Sequence, residues 1–373
     1  MSSSPMPLPA AVTTRSLGLM QLLEQVPDPR DPRGVRHRLT AVLAVGVAAV
    51  LAGARSFVAI GEWAADATGE TLAALGVAGC APDEATIRRL FARLDADLLD
   101  RLLGAWMFTR TRMIEGRRVI AIDGKSVRGA KDTNGQMPHL VAAFDHAAGA
   151  VLGQLAVAAK SNEIPCVRDL LTCFDLTDTV VSVDAMHTQT DTATAISAAG
   201  GHYVFTVKGN TPTLHRALKA LPWKDVPARS AIDTSHGRRA TRTIKVVTAP
   251  DWIDFPGAAQ VAQVRRTVTK NGRKSVEVVY LITSADATEA PPATLAGWVQ
   301  GHWGIENRLH WVRDVTFGED LSQTRTGQAP RVMATLRNAA ISLLRLAGWD
   351  NIAQALRHHA RDAERPVKLL LTS

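Results

Sequence analysis

Two segments constrain this chain more than any others: residues 118–123 (RVIAID) and 179–184 (TVVSVD). Each is a short, apolar, β-branched run closed by an aspartate. Such a run reads as a buried strand, and its charged end must lie where the sheet meets solvent. Between and after them LVAAFDH, VLGQLAVA and HYVFTVK read as further strands, with Gly, Asn and Asp at the turns. NEIPCVRDLLTCF carries helical spacing, and the segment from Met186 to Ala199 reads as a helix stopped by Gly200 and Gly201. The resulting order is βββαβαβ.

The flanking regions have a different period. From about residue 17 to 115 apolar residues recur at spacings of three and four, with Asp83 as a candidate N-cap before EATIRRLFARL. The apolar run at residues 41–54 falls short of the ~20 residues a bilayer helix requires and reads as a buried helix. After Lys208 the segment from Trp223 to Thr283 is β-rich, with Asn271-Gly272 as a hairpin turn. Helical spacing returns from Thr294 to the C-terminal stretches. The expected class is α/β (α+β), a mixed sheet with a β-rich insertion at about 222–290. An all-helical N-terminal domain (16–115) precedes a catalytic domain (116–373) that ends in helices. The Ser/Pro-rich residues 1–15 are expected to be a disordered tail without secretory features, and the protein cytoplasmic.

Asp123 and Asp184 sit at strand ends, where carboxylates can converge on a metal while the strands remain packed. A third acid, Glu306, lies in a helical stretch. α-Helical spacing places His302, Glu306, His310 and Arg313 on one face, beside an apolar face of Trp298, Ile305, Leu309 and Val312. Three carboxylates suit hard cations such as Mg²⁺ or Mn²⁺, and the three scattered cysteines build no thiolate cage. Taken singly, a strand-end Asp is more often a turn residue and a helical Glu more often solvated. Together they suit phosphoryl transfer with two metal ions.

The motifs VIAIDGKSVRGA, KSNEIP, DAMHTQ, KGN, HGRRATR and HWGIENRLHWVRDVTFGEDLSQTR occur in this order. As a set they resemble the H-repeat-associated (ISAs-type) group of bacterial insertion-sequence DDE transposases, over nearly the whole chain. DPRGVRHRL, IGEWA and TIRRLFARLD resemble that group's associated N-terminal domain. The resemblance implies an RNase H-like core, with Asp123, Asp184 and Glu306 as catalytic and metal-binding acids holding two Mg²⁺ (or Mn²⁺) ions. It also implies cleavage at terminal inverted repeats, strand transfer into target DNA, and a homodimer in the synaptic complex. No organic cofactor or membrane is implied. The wider signature Tyr-x2-Arg-x3-Glu-x6-Lys falls here on Val299, His302, Glu306 and Arg313, so its Tyr and Arg are replaced.

A balance of 43 Lys+Arg against 35 Asp+Glu, net +8, favours a polyanionic partner and nucleoid association. Lys125 and Arg128, in a Gly-flanked loop after the first acid, are the nearest candidate phosphate contacts. Lys160 and Asn162, His187 and Gln189, and Lys208 and Asn210 lie at strand-to-helix junctions and are further candidates. His302, Trp303, Asn307, His310 and Arg313 complete the set along the Glu306 segment. Trp303 is a candidate base-stacking residue, whereas Trp311 is expected in the core. Arg88, Arg89 and Arg93, in the N-terminal DNA-binding/associated domain, could grip terminal DNA but read more readily as a solvated helix face, and the arginines and lysines of the insertion read as a strand-borne DNA surface. Two rival readings are a catalytically silent DNA-binding remnant and a stand-alone RNase H-like nuclease.

Overall fold

A computed structural model describes residues 17–111, 113, 116–131, 135–157, 163–235 and 238–373. The first region is helical: α1 (Leu19–Leu23), α2 (Leu39–Leu51), α3 (Phe57–Asp66), α4 (Gly69–Ala74), α5 (Glu84–Phe91) and α6 (Ala96–Arg110). Side chains start four of these. Ser56, Thr68, Asp83 and Asp95 each accept a hydrogen bond from a backbone N–H in the first turn of α3 to α6. Strands β1 (Arg118–Ser126), β2 (His139–Asp145) and β3 (Val151–Ala156) follow, then α7 (Glu163–Leu171), β4 (Thr179–Val183), α8 (Thr190–Ala198), β5 (His202–Val207) and α9 (Pro212–Lys219). The insertion supplies β6 (Arg229–Ser235), β7 (Arg238–Thr248), β8 (Gln260–Lys270) and β9 (Arg273–Thr283). The chain ends with α10 (Pro292–His302), α11 (Ala329–Leu346), α12 (Ile352–His359) and α13 (Glu364–Leu371).

Among the described residues the strands form one mixed sheet in the order β3-β2-β1-β4-β5-β9-β8-β7-β6. Strands β1, β4 and β5 are parallel, β2 and β3 antiparallel, and β5 through β6 antiparallel. This is the mixed sheet with a β-rich extension that the sequence predicts. No helix is long and apolar enough to cross a membrane among the described residues.

Three local expectations change. The insertion has a fourth strand, β6, whose polar sequence RSAIDTS gives little apolar signal. A short 3-10 turn at Ala185–His187 separates β4 from α8, so the helix does not begin at Met186. The helix expected to carry Glu306 ends at His302, and Ile305–His310 and Val312–Thr316 are π-helical. That winding breaks the α-helical spacing on which one shared face for His302, Glu306, His310 and Arg313 was based.

The chain forms two compact units. One gathers the described residues within 1–112, 124–166 and 305–373; the other those within 113–123 and 167–304. In the first, α2 is buried on every side because it is built only of Leu, Val, Ala and Gly apart from Thr40. Gly46 allows this packing: a Cβ there would lie 3.1 Å from the Phe91 ring and 3.2 Å from Leu336. In the second unit Leu295 and Trp298 of α10 pack with Val180, Val204, Ile244, Ala262 and Leu281 of the sheet. The β8–β9 hairpin closes through Asn271 (φ 50°) and Gly272 (φ 73°), the left-handed pair a two-residue turn demands.

Candidate active site

In the second unit the last registered pair of β1 and β4 is Ile122 with Val183. The next residues are Asp123, which does not close its strand as expected because β1 runs on to Ser126, and Asp184, just past the end of β4; neighbouring strands run about 4.8 Å apart. Asp184 is more than half exposed, and Lys208 places its Nζ 3.6 Å from Oδ1. The polar groups predicted around it brace the turn that follows. Asn210 Nδ2 donates to the Ala185 carbonyl at 2.6 Å, and Thr188 Oγ1 donates to the Thr206 carbonyl at 2.6 Å. His187 is buried inside this turn, 1% exposed.

His302 lies in the same unit, with its Nδ1 3.0 Å from Ser182 Oγ, two residues before Asp184. The residue in the signature's arginine position is thus bonded to β4. Val299 packs against the α10 core cluster. Trp303 is partly exposed, and the Arg266 guanidinium of β8 stacks 5.1 Å from its ring centroid.

In the first unit Glu306 is exposed on its π-helical turn, with His310 Nδ1 3.6 Å from Oε2. Burial pushes the His310 imidazole below its ordinary pKa, against the opposing pull of Glu306. Asn307 is exposed. Arg313, expected beside Glu306, is fully buried and forms an ion pair with Glu319, which is itself fully buried. Trp311, expected in the core, is 54% exposed. Lys125 is buried, 2.5 Å from Asp314 and 3.8 Å from Asp320, whereas Arg128 is 76% exposed, 4.0 Å from Asp320. Lys160 and Asn162 lie outside the described residues.

Residues that the sequence did not single out lie beside the segment after Asp123, which is the end of β1 and not the loop expected there. Ser126 Oγ is 2.9 Å from His139 Nδ1, and His139 Nε2 is 2.7 Å from Glu163 Oε2. The chain after Asp123 passes tightly over this relay: a Cβ at Gly124 would lie 2.1 Å from Glu163 Oε1 and 2.7 Å from His139 Nε2. The only hint in the sequence was that Ser126 and Glu163 fall inside the DGKS and KSNEIP motifs.

The arrangement provides carboxylates where the pairing of β1 and β4 stops, with a cation beside one of them. Comparison with known proteins identifies the family. Residues 20–107 match the family described as DDE_Tnp_1-associated, and residues 114–343 match the family described as Transposase DDE domain. The chain is 32% identical over 342 residues to "Putative transposase YncI" of Escherichia coli O157:H7, covering 88% of this chain and 87% of that protein. It is 32% identical over 348 residues to "H repeat-associated putative transposase YhhI" of Escherichia coli strain K12, covering 87% of this chain and 90% of that one. A structure of piggyBac transposase in a synaptic complex with hairpin DNA aligns with a TM-score of 0.47 at 10% identity, over 96% of this chain and 81% of that chain. With more than half of its length matched by the catalytic family and most of it by these relatives, the chain belongs to the transposase DDE domain family.

Proposed function

We propose that this protein is a metal-dependent DNA transposase that nicks DNA at the inverted repeats of its element and joins the freed ends to target DNA. The observation that carries the reading is the placement of Asp123 and Asp184 directly after the last registered pair of parallel β1 and β4. The donor set fits a hard divalent cation: Asp123, Asp184 and Glu306 offer carboxylate oxygens, and His310 adds an imidazole near Glu306. Asp184 and Glu306 are more than half exposed, which leaves their oxygens accessible to an ion and to phosphate. These acids would hold Mg²⁺ or Mn²⁺, two ions in the full site, whose charge stabilises the attacking and leaving oxygens of an in-line displacement.

The chain's own residues then position the DNA. A water oxygen attacks the phosphorus at the element end, the phosphodiester bond to the 3′ oxygen breaks, and that oxygen leaves as a 3′-hydroxyl. The same hydroxyl attacks a target phosphodiester in the second step, so each displacement exchanges one P–O bond for another. Lys208, beside Asp184, contacts the backbone near the cut phosphate, and Arg128 contacts it further out. Trp303, with Arg266 on one side of its ring, offers a stacking surface to an unpaired base. Synapsis of two ends calls for a homodimer, and the inserted strands add a basic DNA surface.

The test uses a duplex carrying the inverted repeats that flank the gene. Asp123→Asn and Glu306→Gln are expected to abolish Mg²⁺-dependent nicking while end binding in EDTA stays within a few-fold of the parent. Undiminished nicking by both variants overturns the reading. The replacement of the signature's Tyr and Arg by Val299 and His302 favours a second reading, a DNA-binding remnant. Binding without nicking by the parent protein would establish that one instead.

A further inference from the structure

The signature's final cation falls on Arg313, and its surroundings are those of an internal strut. The Arg313 side chain is 0% exposed. Its Nε donates to Glu319 Oε2 at 2.9 Å, and its Nη2 lies 2.8 Å from the same oxygen. Nη1 donates to Gln154 Oε1 at 3.0 Å, with Asn338 Oδ1 at 3.4 Å. Glu319 is equally buried, and its other oxygen accepts from Arg337 Nη1 at 2.9 Å. Asn338 Nδ2 also donates to Gln154 Oε1 at 2.9 Å. Gln154 belongs to β3, and Arg337 and Asn338 to α11. Arg313 itself belongs to the second π-helical turn, directly after the one that carries Glu306 and His310.

A π-helical run is rare and persists only where the surrounding structure over-determines it. Here the Arg313–Glu319 pair supplies that determination by tying the run to β3 and α11. A guanidinium enclosed in this way has no route to a phosphate. We infer that Arg313 and Glu319 are positioning residues, which hold the Glu306 turn in register from inside the unit, and that Arg313 does not touch DNA. The inference rests on the proposed role of Glu306 as a site acid.

Three measurements on the full-length protein test it. These are nicking of the inverted-repeat duplex with Mg²⁺, affinity for that duplex in EDTA as a function of salt, and the thermal midpoint. Arg313→Gln and Glu319→Gln are each expected to lower kcat for nicking about 100-fold, the scale of an ångström-sized misplacement. KM and the log–log salt slope of binding should stay at the parent values. The double variant should lose little more than either single one, because both break the same strut. If the Gln variants do not fold, Arg313→Lys and Glu319→Asp keep the charges while shortening the reach, and the same pattern is expected of them.

A salt slope flattened by about one unit in Arg313→Gln would overturn the inference, since that is the signature of one fewer phosphate neutralised, and so would parent-level nicking by Arg313→Lys, which keeps the charge but not the strut. So would parent-level nicking by Glu319→Gln. Should the parent itself prove as inactive as Asp123→Asn, the transposase reading fails, yet the salt slope still decides whether Arg313 touches DNA.

Discussion

Asp100 of α6 shows how one buried carboxyl group can tie stability to pH. It is 4% exposed, accepts from Thr335 Oγ1 at 2.7 Å, and faces Gln154 Nε2 at 3.3 and 3.4 Å from its two oxygens. Burial raises its pKa to about 7, although these hydrogen bonds and Arg331 pull it down. The folded state therefore keeps a proton that the unfolded chain loses near pH 4, and stability falls as pH rises between those values. Asp100→Asn should flatten that decline, raising the thermal midpoint at pH 8 and leaving it nearly unchanged near pH 4. A parallel decline in both proteins would exclude Asp100 as its source. Glu319 behaves oppositely: burial alone would raise its pKa, but the Arg313 and Arg337 guanidiniums hold it below the ordinary value. Its contribution is present at neutral pH and is lost as the solution is acidified through that lowered pKa. At this scale the three proposed acids were singled out because an apolar run closing on a charge and a helical stretch are visible in one dimension, although β1 runs on past Asp123. The burial of Arg313 and Lys125 was not, since an arginine or lysine looks the same in sequence whether it meets phosphate or a buried or half-buried carboxylate. Trp311 misled for the related reason that the π-helical winding rotates it outward.

Elements were read well wherever period and punctuation agreed. The almost wholly apolar α2, the Asp83 cap and the Asn271-Gly272 turn each came from local chemistry that tertiary packing did not override. Strand β6 was hidden because it is an exposed edge strand, with polar residues on both faces and no apolar alternation to detect. The π-helical turns were hidden because a one-residue change of winding leaves no mark in composition. Close approach of elements is equally silent in sequence, and Gly104 marks one such place. A Cβ there would lie 2.2 Å from the Leu152 carbonyl oxygen and 3.0 Å from Gly153 Cα, so α6 rests directly on the backbone of β3. Backbone cannot rotate away as a side chain can. Gly104→Ala should therefore destabilise by about 1–3 kcal/mol or more despite alanine's better helix propensity, read as a lower urea midpoint at an unchanged m-value. A midpoint equal to the parent's would mean that helix and strand separate freely.

For the molecule as a whole, composition predicted a polyanionic partner, and the distal insertion shows where positive charge collects. Arg239, Arg265 and Lys274 are exposed and project from one face of the sheet, because Arg239 and Lys274 share a cross-strand row and Arg265 lies two rows on. Replacing all three with Gln should weaken binding to any duplex and reduce the log–log salt slope by about 2–3, at about 0.9 for each phosphate no longer neutralised, with the thermal midpoint little changed. An unaltered slope would remove this face from the DNA path. What sequence order could not convey is how the chain partitions. The N-terminal helices belong to the same compact unit as α11 to α13 and the β2–β3 hairpin, because burial of α2 depends on partners such as Leu336 nearly three hundred residues later.

That interleaving bears on when the protein becomes competent. The socket around Gly46 is lined by Phe91 and by Leu336, 290 residues later, so an emerging chain carries its most apolar helix only partly covered until α11 has been made. A product terminated before residue 305 lacks the partner that shields this face of α2 and is expected to be an easier target for proteolysis than the finished chain.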